Sequence, residues 1–301
     1  MAKRPLTAPL NELNEAELRR FARIAGRLFA GRPKLMPGNR PHRLRAGPGI
    51  EFLDHREYQP GDDLRDVDWL ATARSGRTQI RRFRDETSSD WVICLDCSAS
   101  MGIGAGEKWR LAVQLTAALA YLLIQLDNRI GLMLFREQVV SLKPLGRGQH
   151  AYAGLLRLLE GMAPAAAGGG SRLGACTPHV RPGCQLIVIS DFLVEDGMQA
   201  DLARLARIGE AVHAIQVLSP QEIRIEGQGR VRLQDIESGE QVSVDLSLES
   251  IEQVKERLQS FRRRLASHCR RHHIGFTYCD ASDGWRAVLM RHMQQLGGAG
   301  V

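Results

Sequence analysis

The amino-acid sequence predicts an α/β protein with a doubly wound, mostly parallel sheet, an N-terminal helix and a small turn-rich subdomain. Residues 91–96 and 185–190 are continuous apolar segments, which are typical of strands buried on both faces. Segments with apolar residues at helical spacing lie between the predicted strands, for example at 107–126. Buried strands that alternate with helices form a sheet between two helical layers.

The N-terminal region, residues 1–48, is predicted to be a basic amphipathic helix followed by a linker. Apolar residues recur every three to five positions from Leu10 to Leu28, with arginines between them, and this spacing indicates a helix over 10–30. Either the helix docks its apolar face on the main domain, or it is an arm for an anionic surface or nucleic acid. Gly and Pro recur without periodicity over 31–49, which indicates a linker.

Residues 49–90 are predicted to be a turn-rich segment packed on the main domain, which itself spans 91–297. Strands of the main domain are predicted at 91–96, 128–135, 138–142, 185–190, 211–218 and 274–279. Its helices are predicted at 107–126, 150–162, 200–209, 251–272 and 285–296. The polar stretch at 223–247 predicts a hairpin inserted into this alternation.

Composition and charge place the chain among ordinary folded proteins. The 301 residues are 44% hydrophobic and 25% charged, which is enough apolar material for a core and excludes disorder for most of the chain. The formal net charge is +7, but residues 1–48 hold 11 Lys and Arg against 3 Glu. The rest of the chain is therefore close to neutral, so we do not expect the main domain to bind nucleic acid through a positively charged surface.

Targeting signals and cysteine chemistry are also limited by the sequence. The longest apolar run, 117–124, is far shorter than the roughly 20 residues of a membrane span, and polar residues occupy the place of a signal-peptide core. We therefore expect no transmembrane segment and a cytoplasmic location. Six cysteines are scattered through a large chain, and Cys94 of the Cys94-x-x-Cys97 pair lies within an apolar strand. A disulfide framework, a zinc site or redox chemistry is not expected.

Oxygen-bearing side chains follow the predicted strands where those strands end. Asp96, Ser98 and Ser100 form the pattern D-x-S-x-S after one strand, and Asp191 follows another. Ser171, after the glycines at 168–170, offers a further hydroxyl, with Thr177 as the alternative. Because ligands of open α/β sheets bind beyond the carboxyl ends of the strands, we expect these side chains to converge. Carboxylate and hydroxyl oxygens favour Mg²⁺ or another divalent cation.

Three other interpretations of this stretch compete with a metal site. Ser98 or Ser100 could simply cap the following helix. Asp96 could be the nucleophile of a Mg²⁺-dependent phosphoryl hydrolase, although such an enzyme would need a second carboxylate where Ser98 stands. The glycines at 102, 104 and 106 do not follow the strand directly, so they are not expected to bind a dinucleotide phosphate.

The segment upstream of this motif carries the most specific resemblance. It resembles the bacterial family known as domain of unknown function 58, in which a Y-x-P-G-D-D-x-R-x-x-D-W-x-x-x-A-R block precedes a von Willebrand factor A-like, Rossmann-type domain. The hallmark residues in this chain are Tyr58, Gly61, Asp62, Asp63, Arg65, Asp68, Trp69 and Arg74. From the residues alone, the block is an acidic, turn-rich cluster that Arg65, Arg74, Arg81 and Arg82 could neutralise in a buried ion-pair network.

The resemblance implies a metal-ion-dependent adhesion site and a partner. Asp96, Ser98, Ser100 and Asp191 match the metal-site positions, and Ser171 stands where the family usually has a threonine. It also implies joint work with a MoxR-type AAA+ ATPase.

The function expected from these observations is a non-catalytic, metal-dependent module for protein–protein interaction, an adaptor or assembly factor beside such an ATPase. A hydrolase using Asp96 and an anionic-surface binder using the N-terminal arm remain the alternatives.

Overall fold

The computed structural model describes residues 9–29, 46–59, 62–84, 89–166, 170–194, 197–224, 229–236 and 240–298. Two compact units divide the chain, one of residues 1–39 and 89–301 and a smaller one of residues 40–88. The N-terminal helix thus belongs to the larger unit.

The larger unit is built on a six-stranded, mostly parallel sheet. Its strands are β3 (Asp90–Asp96), β4 (Arg129–Phe135), β5 (Val139–Gly146), β6 (Gln185–Ser190), β7 (Ala211–Leu218) and β10 (Gly275–Asp280). They lie in the order β10-β7-β6-β3-β4-β5, and every neighbouring pair is parallel except β4 and β5, which are antiparallel. The chain begins the sheet at β3, extends it to one side through β4, and then returns to add β6 on the other side.

Helices cover both faces of this sheet. They are α1 (Glu15–Phe29), α3 (Glu107–Gln125), α4 (Gly148–Glu160), α5 (Met198–Ile208), α6 (Pro220–Ile223), α7 (Leu248–Arg271) and α8 (Gly284–Gly298). Successive β3 side chains alternate between two cores: Ile93 packs with α3 and α8, and Cys94 packs with the apolar side chains of α5 and α7. Burial on both faces explains why the β3 and β6 segments are continuously apolar.

The N-terminal helix α1 packs on α3 and α8 of the larger unit. Leu18 and Ala25 are buried in the core, and the ring of Phe21 lies 5.5 Å from that of Trp285. Gln114 of α3 donates through Nε2 to the carbonyl of Pro9, 3.0 Å away. The apolar face that the sequence predicted is therefore covered by the chain itself. Most of the predicted linker at 31–49 lies outside the described residues.

The smaller unit contains a hairpin that the sequence did not predict. Strands β1 (Ala46–Glu57) and β2 (Gln79–Arg84) pair antiparallel, and helix α2 (Trp69–Ser75) lies between them in the chain. Strand β2 is short and rich in charged residues, and its sequence shows no apolar alternation. The sequence of this segment therefore indicated turns rather than a strand.

The ion pairs of this unit also differ from those expected. Arg56 binds Asp62 through two hydrogen bonds, and His55 lies 2.9 Å from Asp68. Arg65 and Arg74 are exposed, so the expected buried network of hallmark arginines is wrong for these two residues. Asp62 and Asp68 are reached from strand β1, because the turn at 62–68 folds back beside it. Gly61 and Arg82 lie outside the residues whose side chains are described.

The inserted hairpin is formed by β8 (Gly229–Gln234) and β9 (Gln241–Leu246), within the predicted range 223–247. The sequence did not predict α6 or the 3-10 helix at Leu173–His179. Among the described residues, no helix is both long and apolar enough to span a membrane.

Candidate metal centre

The predicted site residues meet at the carboxyl edge of the sheet, between β3 and β6. These two strands are parallel neighbours, and Asp96 ends β3 while Asp191 directly follows β6. The chain order reverses at β3, because β4 lies on one side of it and β6 on the other. A reversal of this kind opens a crevice at the strand ends, which is where such sheets bind ligands.

Asp96 is the centre of the hydrogen bonds at this edge. Its carboxylate is fully buried, and Oδ2 accepts from Ser171 Oγ at 2.6 Å and from Ser190 Oγ at 2.7 Å. Oδ1 accepts from the Ser98 N–H at 2.9 Å. Burial and the nearby negative charge of Asp191 raise the pKa of Asp96, and the three donors act in the opposite direction. All three donors are neutral, so they orient the carboxylate without balancing its charge.

Ser98 and Ser100 place two hydroxyls together immediately after β3. Their Oγ atoms are 3.1 Å apart, Ser98 is buried, and Ser100 is partly exposed. A short 3-10 helix at Ala99–Gly102 follows, and Ser98 makes no capping side-chain hydrogen bond to it. The interpretation of Ser98 as a simple helix cap is therefore not supported by the geometry.

Ser171, and not Thr177, forms a hydrogen bond with Asp96. The Ser171 hydroxyl donates to Asp96, as described above, whereas Thr177 lies in the 3-10 helix at Leu173–His179. Thr177 Oγ1 is buried with no hydrogen-bond partner among the described groups. The middle-loop position next to Asp96 is thus occupied by Ser171. Of the three glycines that precede Ser171, those at 168 and 169 lie outside the described residues.

Asp191 is bound to a buried lysine that the sequence did not single out. Lys108 of α3 is fully buried, and its Nζ lies 2.8 Å from Asp191 Oδ2 and 2.7 Å from Glu222 Oε1. Burial acts to lower the pKa of Lys108, but the two carboxylates outweigh it and the pKa is raised. Asp191 Oδ1 accepts from the Leu193 N–H at 3.1 Å.

Glu222 ties this lysine to the loop after β7. Its Oε2 accepts from both the N–H and the Oγ of Ser219, in a capping box that starts α6. Gly104 comes so close that a Cβ there would stand 2.7 Å from Ser219 Cβ, and its φ of +79° suits glycine. Three loops at the carboxyl edge therefore pack against one another around Lys108.

Hydroxyl groups make up most of the potential metal ligands at this edge of the sheet. Among the residues that the structure describes, no three His, Cys, Asp or Glu side chains are grouped so as to hold a metal ion. The donors at the rim are instead two carboxylates and the hydroxyls of Ser98, Ser100, Ser171 and Ser190. Hard oxygen donors of this kind suit Mg²⁺ rather than a softer metal.

A groove adjoins the site at Ser171. Its volume is about 1000 Å³, and Gln138 and Val139 form part of its wall. Arg172, Arg204, Glu137 and Asp201 also line it, so its charges are mixed. Ser171 therefore connects the buried carboxylate of Asp96 to a surface wide enough for a segment of another molecule.

Of two other groups of potential ligands, the fold separates the cysteine pair and brings the histidine pair together. Cys94 and Cys97 belong to different cores on opposite faces of the sheet, and all six cysteines are buried and unbridged. His268 and His272 are stacked with ring centroids 4.4 Å apart. His268 is buried, with 9% of its surface exposed.

Comparison with known proteins gives one family. The family model described as "Protein of unknown function DUF58" matches residues 54–268. Uncharacterized proteins of Mycobacterium bovis and of two Mycobacterium tuberculosis strains are 34% identical over 212 residues, which is 67% of this chain and 66% of theirs. The chain thus spans slightly less than two thirds of the length of these relatives.

Two solved structures are distant neighbours. One is the conserved hypothetical protein BatB from Bacteroides thetaiotaomicron, with 17% identity, a TM-score of 0.43, and coverage of 70% of this chain and 100% of that chain. The other is an aerotolerance-related membrane protein from Bacteroides fragilis, with 18% identity, a TM-score of 0.42, and coverage of 69% and 100%. TM-scores below 0.5 do not establish a shared fold.

Proposed function

The chain belongs to the DUF58 family, and on that basis we propose that it is a non-catalytic module that binds a partner's carboxylate through a divalent cation. In this proposal the larger unit is a von Willebrand factor A-like domain. The metal-ion-dependent adhesion site of that domain is formed by Asp96, Ser98, Ser100, Ser171 and Asp191.

The observation that carries the proposal is the buried carboxylate of Asp96 beside paired hydroxyls. The Oγ atoms of Ser98 and Ser100 are 3.1 Å apart. Two adjacent ligands of an octahedral Mg²⁺ with bonds of 2.0–2.1 Å would be about 2.9 Å apart, so the pair fits one edge of that geometry. Ser98, Ser100 and Ser171 would hold the ion, with Asp96 and Asp191 supplying negative charge. Mg²⁺ would supply a Lewis-acidic centre that attracts an anionic oxygen.

The state of Asp96 favours adhesion over hydrolysis. Both of its carboxylate oxygens accept hydrogen bonds, and the side chain is fully buried. A nucleophile needs an accessible oxygen in line with its target. Because its direct ligands would be neutral hydroxyls, the cation would also stay electrophilic enough to bind one more anionic oxygen, that of a partner's Asp or Glu.

The partner we propose is a MoxR-type AAA+ ATPase, as the family resemblance implies. The groove beside Ser171 offers room for the segment that carries the partner's carboxylate. The packing of α1 on α3 and α8 favours a structural role for that helix over a free anionic-surface arm.

The test is capture of the candidate ATPase with Mg²⁺ and with EDTA. We expect capture by the wild type only with Mg²⁺, weaker capture by Ser98→Ala and Ser100→Ala, and none by Asp96→Lys. Ser267→Ala on α7 is the matched control and should behave as the wild type. Undiminished capture in EDTA and by Asp96→Lys would overturn the proposal.

A further inference from the structure

The buried ammonium group of Lys108 stands beside the proposed metal site. We infer that Lys108 acts as a fixed internal cation that sets the affinity of the proposed site for a divalent ion. This inference rests on the proposed function and concerns the same site.

The position of Lys108 is fixed from three sides. It lies in the first turn of α3, and its Nζ contacts Asp191 Oδ2 and Glu222 Oε1 at 2.8 and 2.7 Å. The remaining oxygens of those two carboxylates accept from backbone N–H groups, of Leu193 and Ser219 respectively. Neither carboxylate can turn away from the lysine without losing a second bond, so the ammonium is held at one place.

The charges of this cluster do not cancel. Asp96, Asp191 and Glu222 are three carboxylates against the one ammonium of Lys108, which leaves two negative charges when all four groups are ionised. Charge buried without compensation is costly, and a divalent cation supplies the missing two positive charges.

Lys108 is therefore expected to oppose metal binding as well as to support the fold. A fixed positive charge raises the electrostatic cost of bringing Mg²⁺ to a poorly solvated site. Glu222 acts in the opposite direction, because it balances part of the ammonium charge. Removing the lysine should tighten Mg²⁺ binding, and neutralising Glu222 should weaken it.

Opposite signs separate this role from general damage to the site. Loss of a purely structural residue would weaken binding in both variants. If Lys108 acts through its charge, the effects of the two substitutions on Mg²⁺ affinity should cancel when they are combined. Lys108→Met together with Glu222→Gln restores the wild-type net charge.

The experiment is calorimetric titration of Mg²⁺ into the full-length chain and four variants. Relative to the wild type, we expect Lys108→Met to bind at least about tenfold more tightly and Glu222→Gln at least about tenfold more weakly. The double variant should fall within about threefold of the wild type. Lys255→Met, which removes an exposed lysine paired with Glu252 on α7, is the matched control and should leave the affinity unchanged.

The outcomes distinguish this inference from the proposed function. If the wild type binds Mg²⁺ but the affinities do not follow the net charge, the role of Lys108 is overturned and the metal site stands. If the wild type binds no Mg²⁺, the proposed function itself fails, and the inference with it. Should Lys108→Met fail to fold, Glu222→Gln must still weaken binding, and unchanged affinity there would overturn the inference.

Discussion

Asp96 is the residue on which the proposed site depends most. Its carboxylate accepts from the hydroxyls of Ser171 and Ser190 and from the N–H of Ser98. Asp96→Asn keeps the size of the side chain and removes its charge: the amide oxygen can still accept from the Ser98 N–H, and the hydroxyls of Ser171 and Ser190 can rotate to accept from the amide NH2. At a Mg²⁺ concentration ten times the dissociation constant, bound ion should stabilise the wild type by about 1.4 kcal/mol. We expect thermal-shift titration to show this gain for the wild type and none for Asp96→Asn; equal shifts would contradict a metal at this residue.

Gly104 is a second residue whose identity the site requires. A methyl group there would stand 2.7 Å from Ser219 Cβ, and the backbone φ is +79°. Gly183 has a similar φ of +83° but nothing within 4 Å of its Cβ position, so Gly183→Ala isolates the backbone strain. Gly104→Ala should lower the free energy of unfolding by about 1–3 kcal/mol more than Gly183→Ala, measured by chemical denaturation. Equal costs would show that the loops have room to move apart.

The sequence predicted the residues at strand ends and missed those brought in by packing. Asp96, Ser98, Ser100 and Asp191 follow apolar strands, and that position is visible in the sequence. Lys108 is 83 residues from Asp191 and 114 from Glu222 in the sequence. The sequence around Lys108 looks like the charged first turn of an ordinary helix, so it gives no sign of these contacts. Such contacts depend on how α3 and α6 pack on the sheet. Ser190 had a usable signal, because it ends β6 directly before Asp191.

At the scale of elements, α1 is expected to contribute to stability through its apolar face. Leu18 is 3% exposed, whereas Arg20 on the same helix points into solvent. Leu18→Ala should lower the free energy of unfolding by about 2–3 kcal/mol, because it leaves a cavity beside α3. Arg20→Ala is the control and should change it by less than about 0.5 kcal/mol. An equal, small effect of both substitutions would mean that α1 is not docked in solution.

Strand β7 and helix α8 bury two histidines that make the fold sensitive to acid. Burial, with a smaller effect from His292, lowers the pKa of His213 well below its usual value, and burial lowers the pKa of His292 to about 4. Unfolded histidine has a pKa near 6.5, so between pH 6.5 and 4 the unfolded chain binds more protons. Stability should therefore fall as the pH drops through this window, by at least about 2 kcal/mol between pH 7 and 5.

The control for this acid effect is His213→Phe, which keeps a ring against Trp91 but removes one titrating group. Chemical denaturation at pH 7 and pH 5 should show a smaller loss of stability for this variant than for the wild type. The same loss in both proteins would mean that other groups cause the acid sensitivity.

Elements that are buried on both faces were the most predictable from sequence. The segments at 185–190 and 211–218 match β6 and β7 at both ends, because a short, continuously apolar run is typical of a strand buried on both faces. The β1–β2 hairpin was missed, since β2 is Gln79–Arg84 with three arginines and no apolar alternation. The four-residue helix α6 is too short to show any periodicity and is defined by its capping box.

At the scale of the whole molecule, the order of the strands decides where the site lies. The reversal at β3 brings the ends of β3 and β6 together, and Lys108 then links that edge to the loop after β7. The positive charge counted in residues 1–48 lies away from this chemistry in the sequence, and helix α1, which carries part of it, packs through its apolar face on α3 and α8.

The central claim is that the rim around Asp96 holds one divalent cation, and binding of Mn²⁺ as a paramagnetic substitute for Mg²⁺ tests it most directly. Electron paramagnetic resonance measures free Mn²⁺ at equilibrium, so a titration gives both the number of ions bound and their affinity. We expect one saturable ion per wild-type chain, displaced by excess Mg²⁺ and lost in Asp96→Asn. No saturable binding, or the same binding by Asp96→Asn, would contradict it.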